Sequence, residues 1–434
     1  MKTAAIHTLG CKVNTYDSEA IMELLEKEDY KIVDFKDKAD VYVINTCTVT
    51  NLGDRKSRQM IRKAKRNNPD SFIVVCGCYA QTASEQLEVM PEVDLIIGND
   101  DRNKIIEYIE SAKEKGQKIN AVKNIMALKE YEELKIDEIS GRERGFIKIQ
   151  EGCDQFCAYC IIPYARGPVR SRKPENIIDE AKRMVSKGNK ELVLTGINIS
   201  KYGKDLEKTS LLELLTQLNS ISGLKRMRIS SLEPNLLTKE FVEATSKLEK
   251  ICPHFHISMQ SGAAKTLKDM KRKYTKEDFF DVVNSIRKYF PDASITTDVM
   301  VGFPGETEED FQETVEYVKK VAFSALHVFK YSKREGTPAA KYENQIPERI
   351  KEERSRILIK AGEEMKTHYE RSFIGSTMSV LFEQEADESA SYQGHTNNYL
   401  TVKVKSDFDL KSKILDVKIT GAQNGFLTGE LANI

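Results

Sequence analysis

The stretch EGCDQFCAYC, from Glu151 to Cys160, decides how the rest of the sequence is interpreted. It places Cys153, Cys157 and Cys160 in a C-x3-C-x2-C array directly after an apolar run that predicts a β-strand. Three thiolates this close can hold three irons of a [4Fe–4S] cluster. The fourth iron then has no protein ligand, so a small molecule can bind it.

Two other interpretations of this cysteine array remain. A structural zinc site normally has four ligands, often as two C-x2-C pairs. No fourth cysteine or histidine lies near the array in sequence, since His254 and His256 are about a hundred residues further on, in a predicted apolar strand. Chance spacing of structural cysteines is the second alternative.

The composition limits the class of protein. With 434 residues, of which 40% are hydrophobic, the chain is long enough for two or three domains with sizeable cores. Lys+Arg and Asp+Glu each number 67, so any binding of a polyanion must come from local patches. The N-terminus, MKTAAIHTLG, lacks the apolar segment of a signal peptide, and no run approaches the roughly 18 apolar residues of a membrane span. We therefore expect a cytoplasmic protein without membrane contact, whose eight cysteines stay reduced.

Six predicted strands accompany the cysteine array, and a helix-like stretch follows each of them. They are the apolar runs FIKIQ, ELVLT, RMRIS, HFHISM, SITTDVMV and ALHVFKY. Repeated βα units predict a barrel or partial barrel, in which catalytic residues lie where strands end and loops begin. We assign this central domain to residues 141–370, which include a long charged helix with Pro347 in its first turn.

The segments on either side show different patterns. Residues 1–135 contain the apolar runs AAIHTL, KIVDF, VYVINT, FIVV and DLIIG between charged helical stretches, which predicts a parallel α/β sheet. Residues 371–434 contain STMSVLFEQ, YLTVKVKS and KILDVKITG with Gly and Asn turns, which predicts a small antiparallel β-barrel. The predicted fold class is therefore α/β, with three domains.

The N-terminal segment carries its own cysteines, Cys11, Cys47, Cys76 and Cys78. Cys11, Cys47 and Cys78 follow the ends of three predicted strands, and the carboxyl ends of parallel strands share one edge of a sheet. We interpret these three as ligands of a second iron–sulfur cluster, also with one open iron. Cys76 lies within the apolar run and is better placed to pack as a small hydrophobic residue. The alternative is that all of them are structural or incidental cysteines.

The cysteine array, with Tyr159 as the aromatic residue of C-x3-C-x-aromatic-C, resembles the signature of the radical S-adenosylmethionine (SAM) enzymes. The resemblance extends along the chain: TLGCKVN, NTC-x-VT and GCYAQ are similar to the N-terminal domain of the methylthiotransferases, and GHTNNYLTVKV is similar to their RNA-binding TRAM domain. It implies a partial (β/α)6 radical SAM barrel at the centre. Its implied cofactors are SAM and two [4Fe–4S] clusters, one on each cysteine triad.

Within this family, TLGCKVN resembles the MtaB branch, which modifies N6-threonylcarbamoyladenosine beside the tRNA anticodon. The branch that acts on isopentenyladenosine more often has GCQMN, and the branch that acts on a ribosomal protein aspartate more often has GCPKN. The two other branches remain alternatives, and a non-enzymatic iron–sulfur protein that binds RNA is a third.

The resemblance also implies a mechanism. The methylthio group replaces a hydrogen on C2 of adenine, and that bond is too strong for an ordinary base, so a radical must remove the hydrogen. One cluster cleaves SAM to make the radical, and the other carries the sulfur. SAM-binding candidates carried over from the family are Gly196 and Asn198 in LTGIN, and Gly302 and Gly305 in DVMVGFPGET.

The implied partners are the anticodon arm of tRNA and an electron donor such as flavodoxin or ferredoxin. Arg55, Arg58 and Arg62 (with Lys65) recur at helical spacing and predict a basic stripe that meets phosphates, unless they form only a solvated helix face.

Two further sets of residues are candidate substrate contacts. Arg166 and Arg170 are candidates to pair with the carboxylate of the threonylcarbamoyl group. The C-terminal barrel offers three aromatic side chains that can stack on bases and two lysines near the RNA backbone. These residues are Tyr392, Tyr399 and Phe426, with Lys403 and Lys405.

Overall fold

The computed structural model describes residues 2–134, 136, 143–386, 391–423 and 425–432. The predicted domain boundaries at residues 1, 135, 141 and 434 lie outside the described residues. None of the described helices is both long enough and apolar enough to cross a membrane.

The N-terminal part is a parallel sheet covered by helices on both faces. Its strands are β1 (Lys2–Thr8), β2 (Tyr30–Ile32), β3 (Val41–Thr46), β4 (Phe72–Gly77), β5 (Leu95–Ile96) and β6 (Ile119–Asn120). Its helices are α1 (Lys12–Lys27), α2 (Asn51–Asn67), α3 (Cys78–Thr82), α4 (Ser84–Glu88) and α5 (Ile105–Lys115). The strand order is β2-β1-β3-β4-β5-β6, so β1, β3 and β4 are neighbours.

Burial on both faces explains why these strands are continuous apolar runs. In β3, Val41 and Val43 pack toward α1 and α5, whereas Tyr42 and Ile44 pack toward α2. This is the pattern of a parallel sheet between two helical layers. The predicted α/β fold class is confirmed, and β6 is a strand that the sequence did not predict.

All six predicted strands of the central part are present. Its strands are β7 (Arg144–Glu151), β8 (Arg170–Ser171), β9 (Glu191–Gly196), β10 (Arg226–Ile229), β11 (His254–His256), β12 (Ser294–Val301) and β13 (Ala325–Lys330). Its helices are α6 (Ile162–Arg166), α7 (Pro174–Ser186), α8 (Leu211–Asn219), α9 (Lys239–Ser246), α10 (Ala264–Asp269), α11 (Lys276–Tyr289), α12 (Glu308–Val321) and α13 (Glu348–Arg371).

These strands form a partial barrel. Strands β7, β9 and β10 pair in parallel, as do β11, β12 and β13, and single parallel bridges join the two groups at Met227–Ile251 and Leu232–Ile257. The short β8 pairs antiparallel with β7 and was not predicted. The ends of the six parallel strands therefore face one side of the curved sheet, where ligands bind in such folds.

The C-terminal part is a closed barrel, as predicted, but it has five strands, of which the sequence predicted three. It consists of β14 (Thr377–Glu385), β15 (Ser391–Thr396), β16 (Thr401–Lys405), β17 (Ile414–Gln423) and β18 (Phe426–Leu431). All pairs are antiparallel except β16 with β18. Tyr392, predicted to stack on bases, is buried in the core of this barrel. The hydrophobic core holds it there, so it is not available as an exposed stacking platform.

Buried arginines fix the C-terminal barrel against the central one. The Arg226 guanidinium donates to the backbone oxygens of His395 at 3.0 Å and Ser379 at 2.9 Å. Arg144 pairs with Glu383 at 3.1 Å. These contacts hold the C-terminal barrel against the central barrel. The C-terminal barrel therefore forms one wall of the space above β9 to β13.

Candidate active site

Three N-terminal cysteines lie at the carboxyl ends of neighbouring strands. Cys11 caps the start of α1, Cys47 follows β3, and Cys78 opens α3 directly after β4. Burial, together with the nearby Cys78 and Cys11, raises the pKa of Cys47 to about 11. The backbone N–H groups of Val13 and Asn14 hydrogen-bond Cys11. The three thiols are therefore mutual neighbours at one sheet edge.

Gly77 separates the roles of Cys76 and Cys78. Its φ is +93°, and a Cβ atom there would lie 2.4 Å from Asn45 Oδ1, so only glycine fits this turn. Cys76, before the turn, is completely buried in the sheet core, and burial raises its pKa to about 12. The turn directs Cys78 to the sheet edge beside Cys11 and Cys47.

The second triad lies in the loop between β7 and α6. Burial, together with the nearby Cys157, raises the pKa of Cys160 to about 12. Arg272 Nη1 donates to Cys157 Sγ at 3.3 Å, and Asn198 Nδ2 donates to Cys153 Sγ at 3.6 Å. The sequence analysis named Asn198 but missed Arg272, which follows α10 and carries no recognisable spacing signal.

The donor chemistry of both triads fits iron–sulfur clusters better than single metal ions. In the part of the chain that the structure describes, no three His, Cys, Asp or Glu side chains converge closely enough to hold one metal ion. In a [4Fe–4S] cluster each cysteine binds a different iron, so the sulfurs need not converge on one point. Burial raises the pKa of Cys47 and Cys160, one thiol of each triad, and a bound cation would favour their thiolate forms.

Arg166 connects the two cysteine triads. It is completely buried, and its Nε donates to Cys78 Sγ at 3.1 Å. Its Nη1 donates to Glu151 at 2.9 Å and to Asp17 at 3.1 Å, and its Nη2 donates to Asn14. All of its nitrogens have partners inside the protein. Its placement gives no support to the prediction that it pairs with a substrate carboxylate.

Asp17 is the centre of the same buried charge network. It pairs with Arg102 and Lys148 as well as with Arg166. Burial alone would raise the pKa of Asp17, but these three cations outweigh it and hold the pKa below its usual range. Neither Asp17 nor Glu151 was predicted from the sequence, although Glu151 opens the stretch EGCDQFCAYC.

Arg170 is also buried. Its Nη1 donates to the carbonyl oxygens of Arg166 at 3.1 Å and Pro168 at 3.2 Å, and burial lowers its pKa. These hydrogen bonds stabilise the backbone that follows the cysteine loop. Arg170 does not line the cavity described in the next paragraph. The predicted carboxylate contact is thus unsupported for both arginines.

A cavity of about 730 Å³ lies where the three parts of the chain meet. Cys11 and Lys12 line it from the N-terminal sheet, and Gly196 lines it from the end of β9. The remaining walls come from β10 to β13, from α13 and from the C-terminal barrel. Further lining residues are Arg228, Ser230, His254, His256, Asp298, His327, Lys366, His395 and Tyr399.

Many of the side chains that line this cavity are polar, and two of their atoms are unpaired among the described residues. His254 Nδ1 and Ser230 Oγ are buried without a hydrogen-bond partner among the described residues. Tyr399 lies between the rings of His254 and His395, with centroids 4.8 Å apart on each side. Tyr399 was predicted to stack on RNA bases, but two histidines occupy its faces. Unpaired buried polar atoms of this kind favour a ligand with polar groups.

The remaining SAM-binding candidates lie outside the cavity lining. Gly302 has a φ of +71°, and a Cβ there would lie 2.3 Å from Lys351 Cγ of α13. The Gly305 carbonyl accepts a hydrogen bond from Lys265 Nζ at 2.7 Å. The structure therefore brings Asn198 close to the second triad and Gly196 against Gln150, whereas Gly302 and Gly305 pack against other parts of the central barrel.

Only part of the predicted basic stripe on α2 is without a partner among the described residues. Arg55 is exposed and forms no ion pair within the described residues. Arg58 Nη1 donates to the Tyr79 hydroxyl at 2.7 Å, and Arg62 pairs with Glu92 at 3.7 Å. In the C-terminal barrel, Lys403 Nζ lies 4.4 Å from the Phe426 ring centroid. Lys65 and Lys405 also have partners inside the protein.

Comparison with known families matches three consecutive parts of the chain. Uncharacterized protein family UPF0004 matches residues 3–98, the Radical SAM superfamily matches 147–318, and the TRAM domain matches 371–432. A threonylcarbamoyladenosine tRNA methylthiotransferase MtaB from Bacillus subtilis (strain 168) is 46% identical over 438 residues, which covers 100% of this chain and 97% of that protein. The chain belongs to the radical SAM methylthiotransferase family.

Other relatives span both tRNA branches of the methylthiotransferases. MtaB from Aquifex aeolicus (strain VF5) is 42% identical and covers 92% of this chain and 96% of that protein. A tRNA-2-methylthio-N(6)-dimethylallyladenosine synthase from Clostridium novyi (strain NT) is 40% identical and covers 98% of this chain and 96% of that protein. The chain therefore belongs to the methylthiotransferase family whichever of the two tRNA branches it represents.

Solved structures share the fold of this methylthiotransferase at low sequence identity. The radical S-adenosylmethionine methyltransferase TsrM from Kitasatospora setae, with cobalamin and a [4Fe-4S] cluster bound, has a TM-score of 0.59 at 14% identity. The match covers 89% of this chain and 82% of that one. The structural similarity therefore extends beyond the central barrel. At this sequence identity it concerns the fold alone.

Proposed function

We propose that this methylthiotransferase transfers a methylthio group to C2 of N6-threonylcarbamoyladenosine beside the anticodon of tRNA. The observation that carries the proposal is the cavity of about 730 Å³, which Cys11 and Gly196 line from two different parts of the chain and which several polar side chains border. The whole-length identity of 46% to a protein named for that reaction supports the same choice.

The polar wall argues against isopentenyladenosine as the substrate. An isopentenyl group offers no hydrogen-bonding atoms, so Ser230 Oγ and His254 Nδ1 would remain buried and unpaired. A site that presents unpaired polar groups rejects an analogue that cannot bond them. A protein aspartate as substrate has no observation in its favour among the relatives described above, which are named for tRNA.

Six cysteines would hold the two [4Fe–4S] clusters, Cys11, Cys47 and Cys78 in one and Cys153, Cys157 and Cys160 in the other. When bound, the clusters and SAM supply a radical able to take the hydrogen from C2 and the sulfur that replaces it. Each triad leaves one iron without a protein ligand.

The protein's own residues position these ligands. Arg166 holds the Cys78 thiolate through a hydrogen bond of 3.1 Å, and Arg272 does the same for Cys157 at 3.3 Å. Asn198 Nδ2 donates to Cys153 Sγ and Gly196 lies at the end of β9, and both residues would contact SAM.

The RNA would be held by the C-terminal barrel and by the exposed part of α2. The modified base is one nucleotide of a folded RNA, and phosphate contacts outside the cavity supply most of such an affinity. The tRNA anticodon arm is thus the proposed partner. An electron donor such as flavodoxin or ferredoxin would supply the electrons that SAM cleavage requires.

The experiment is methylthiolation of defined tRNAs by the protein with both clusters reconstituted. Three tRNAs are compared, one with threonylcarbamoyladenosine, one with isopentenyladenosine and one with unmodified adenosine at the same position. Nucleoside mass spectrometry should find the methylthio product only with the first. Cys157→Ala should yield neither product nor 5′-deoxyadenosine. Equal turnover of the first and third tRNAs, or preferential turnover of the second, would overturn the proposed substrate.

A further inference from the structure

Lys12 is a cation that faces the cavity without a partner. It is the first residue of α1 and directly follows Cys11. Its side chain is exposed and lines the cavity. Within the described residues, its ammonium group makes no hydrogen bond and no ion pair. An ammonium group without a partner among the described residues, at a cavity that polar side chains border, is placed to bind an anion.

The other strong cations of this cavity are already neutralised. Arg228 donates to the Glu191 carboxylate at 2.9 Å and also reaches the Asn397 carbonyl at 3.0 Å. Lys366 pairs with Glu370 at 3.6 Å. The charge that remains available to a ligand is therefore that of Lys12.

The geometry of the base places its N6 substituent near Lys12, and this step rests on the proposed function. The sulfur must reach C2 from the side of Cys11, Cys47 and Cys78. In adenine, C2 and C6 flank the same ring nitrogen, N1, so a substituent on N6 extends along the same edge of the base. The threonylcarbamoyl group ends in a carboxylate, whereas an isopentenyl group has no charge.

Lys12 directly follows Cys11 in TLGCKVN, so its position is fixed beside the N-terminal cysteine triad. We infer that Lys12 determines substrate choice by pairing its ammonium with the carboxylate of the N6 substituent. His254 Nδ1 and Ser230 Oγ lie in the same wall and offer hydrogen bonds to the remaining polar atoms of that group.

The test compares two synthetic anticodon stem-loops that differ at a single group. One carries threonylcarbamoyladenosine, and the other carries the same nucleoside with its carboxylate converted to a neutral carboxamide. Wild-type protein should favour the carboxylate by roughly 10- to 100-fold in kcat/KM, the range for a charge-assisted hydrogen bond. Lys12→Gln should bring the ratio close to one, and Lys12→Arg should retain most of it.

Two features make this comparison specific. Because both stem-loops are measured with one protein preparation, any loss of cluster next to Cys11 cancels in the ratio. Binding of fluorescently labelled stem-loops at fixed salt gives a second readout that does not depend on turnover. Lys27→Gln removes a charge at the opposite, exposed end of α1 and should keep the wild-type ratio.

The outcomes separate this inference from the proposed function. If Lys12→Gln keeps the wild-type ratio, or if wild-type protein does not distinguish the two stem-loops, the role of Lys12 is wrong and the proposed function stands. If wild-type protein leaves the threonylcarbamoylated stem-loop unmodified, the proposed function fails, and the role of Lys12 fails with it.

Discussion

Arg166 Nε donates a hydrogen bond to Cys78 Sγ at 3.1 Å, across the contact between the N-terminal sheet and the central barrel. The same guanidinium contacts Asp17 on α1 and Glu151 at the end of β7. One fully buried cation thus ties a thiol of the first triad to the strand that leads into the second. The network therefore joins the N-terminal sheet to the central barrel beside Cys78.

Replacing Arg166 should therefore affect the N-terminal triad first. In Arg166→Gln, Cys78 loses its donor, and Asp17 and Glu151 lose one of their buried cations. We expect iron content to fall by roughly half and the free energy of unfolding to fall by about 3 kcal/mol. Iron analysis and urea unfolding measure the two effects. Unchanged values in both, with exposed Lys31→Gln as the reference, would remove Arg166 from this role.

Cys76 and Cys78 should behave differently although one residue separates them. Cys78→Ala is expected to lose the N-terminal cluster while SAM cleavage at the other triad continues. Cys76→Ala should keep both clusters and lose only packing, at a cost of about 1 kcal/mol. Iron content and 5′-deoxyadenosine release distinguish the two variants. The reverse pattern, with the cluster lost from Cys76→Ala, would show that the assignment of ligands is wrong.

The cysteine pattern was accessible from sequence because it follows from local structure. Strand periodicity placed Cys11, Cys47 and Cys78 at strand ends, and parallel pairing brings such ends to one edge. The role of Arg166 was not accessible in this way. An arginine that follows a cysteine loop has the same local sequence pattern whether its guanidinium faces the substrate or the protein interior. Only the packing of α1 against β7 determines which way the Arg166 side chain faces.

The strands that were missed have weak local patterns. Strand β15 has the sequence SYQGHT, which is mostly polar and includes Gly394. It is ordered by hydrogen bonds to β14 and β16, which are distant contacts that a sequence window does not contain. The cavity was missed for a similar reason, since its wall combines residues from three separate parts of the chain.

His254 should make stability depend on pH. Burial lowers its pKa well below the ordinary value, and the nearby Arg228, Lys12, His256 and His327 lower it further. The folded protein keeps the ring neutral, whereas the unfolded chain binds a proton near pH 6.5. Stability is therefore complete above that pH and falls below it, by up to about 1.4 kcal/mol per pH unit.

His254→Gln removes this titration and should flatten the decline. The pKa of His327 is also lowered by burial, so part of the slope should remain. Urea unfolding of wild type and variant at pH 7.5 and 5.5 measures the difference. Equal slopes for the two proteins would mean that His254 is charged in the folded state or does not contribute.

Two arginines of α2 offer a matched test of RNA binding. Arg55 is exposed and unpaired among the described residues, whereas Arg58 is held by the Tyr79 hydroxyl at 2.7 Å. If Arg55 meets a phosphate, Arg55→Gln should weaken tRNA binding and reduce the slope of log K against log salt by about one. Arg58→Gln should keep that slope and instead cost about 1 kcal/mol of stability, because the Tyr79 hydrogen bond is lost. Binding titrations between low and moderate salt decide the matter: an unchanged slope in Arg55→Gln would make this helix a solvated face and leave the C-terminal barrel as the RNA contact.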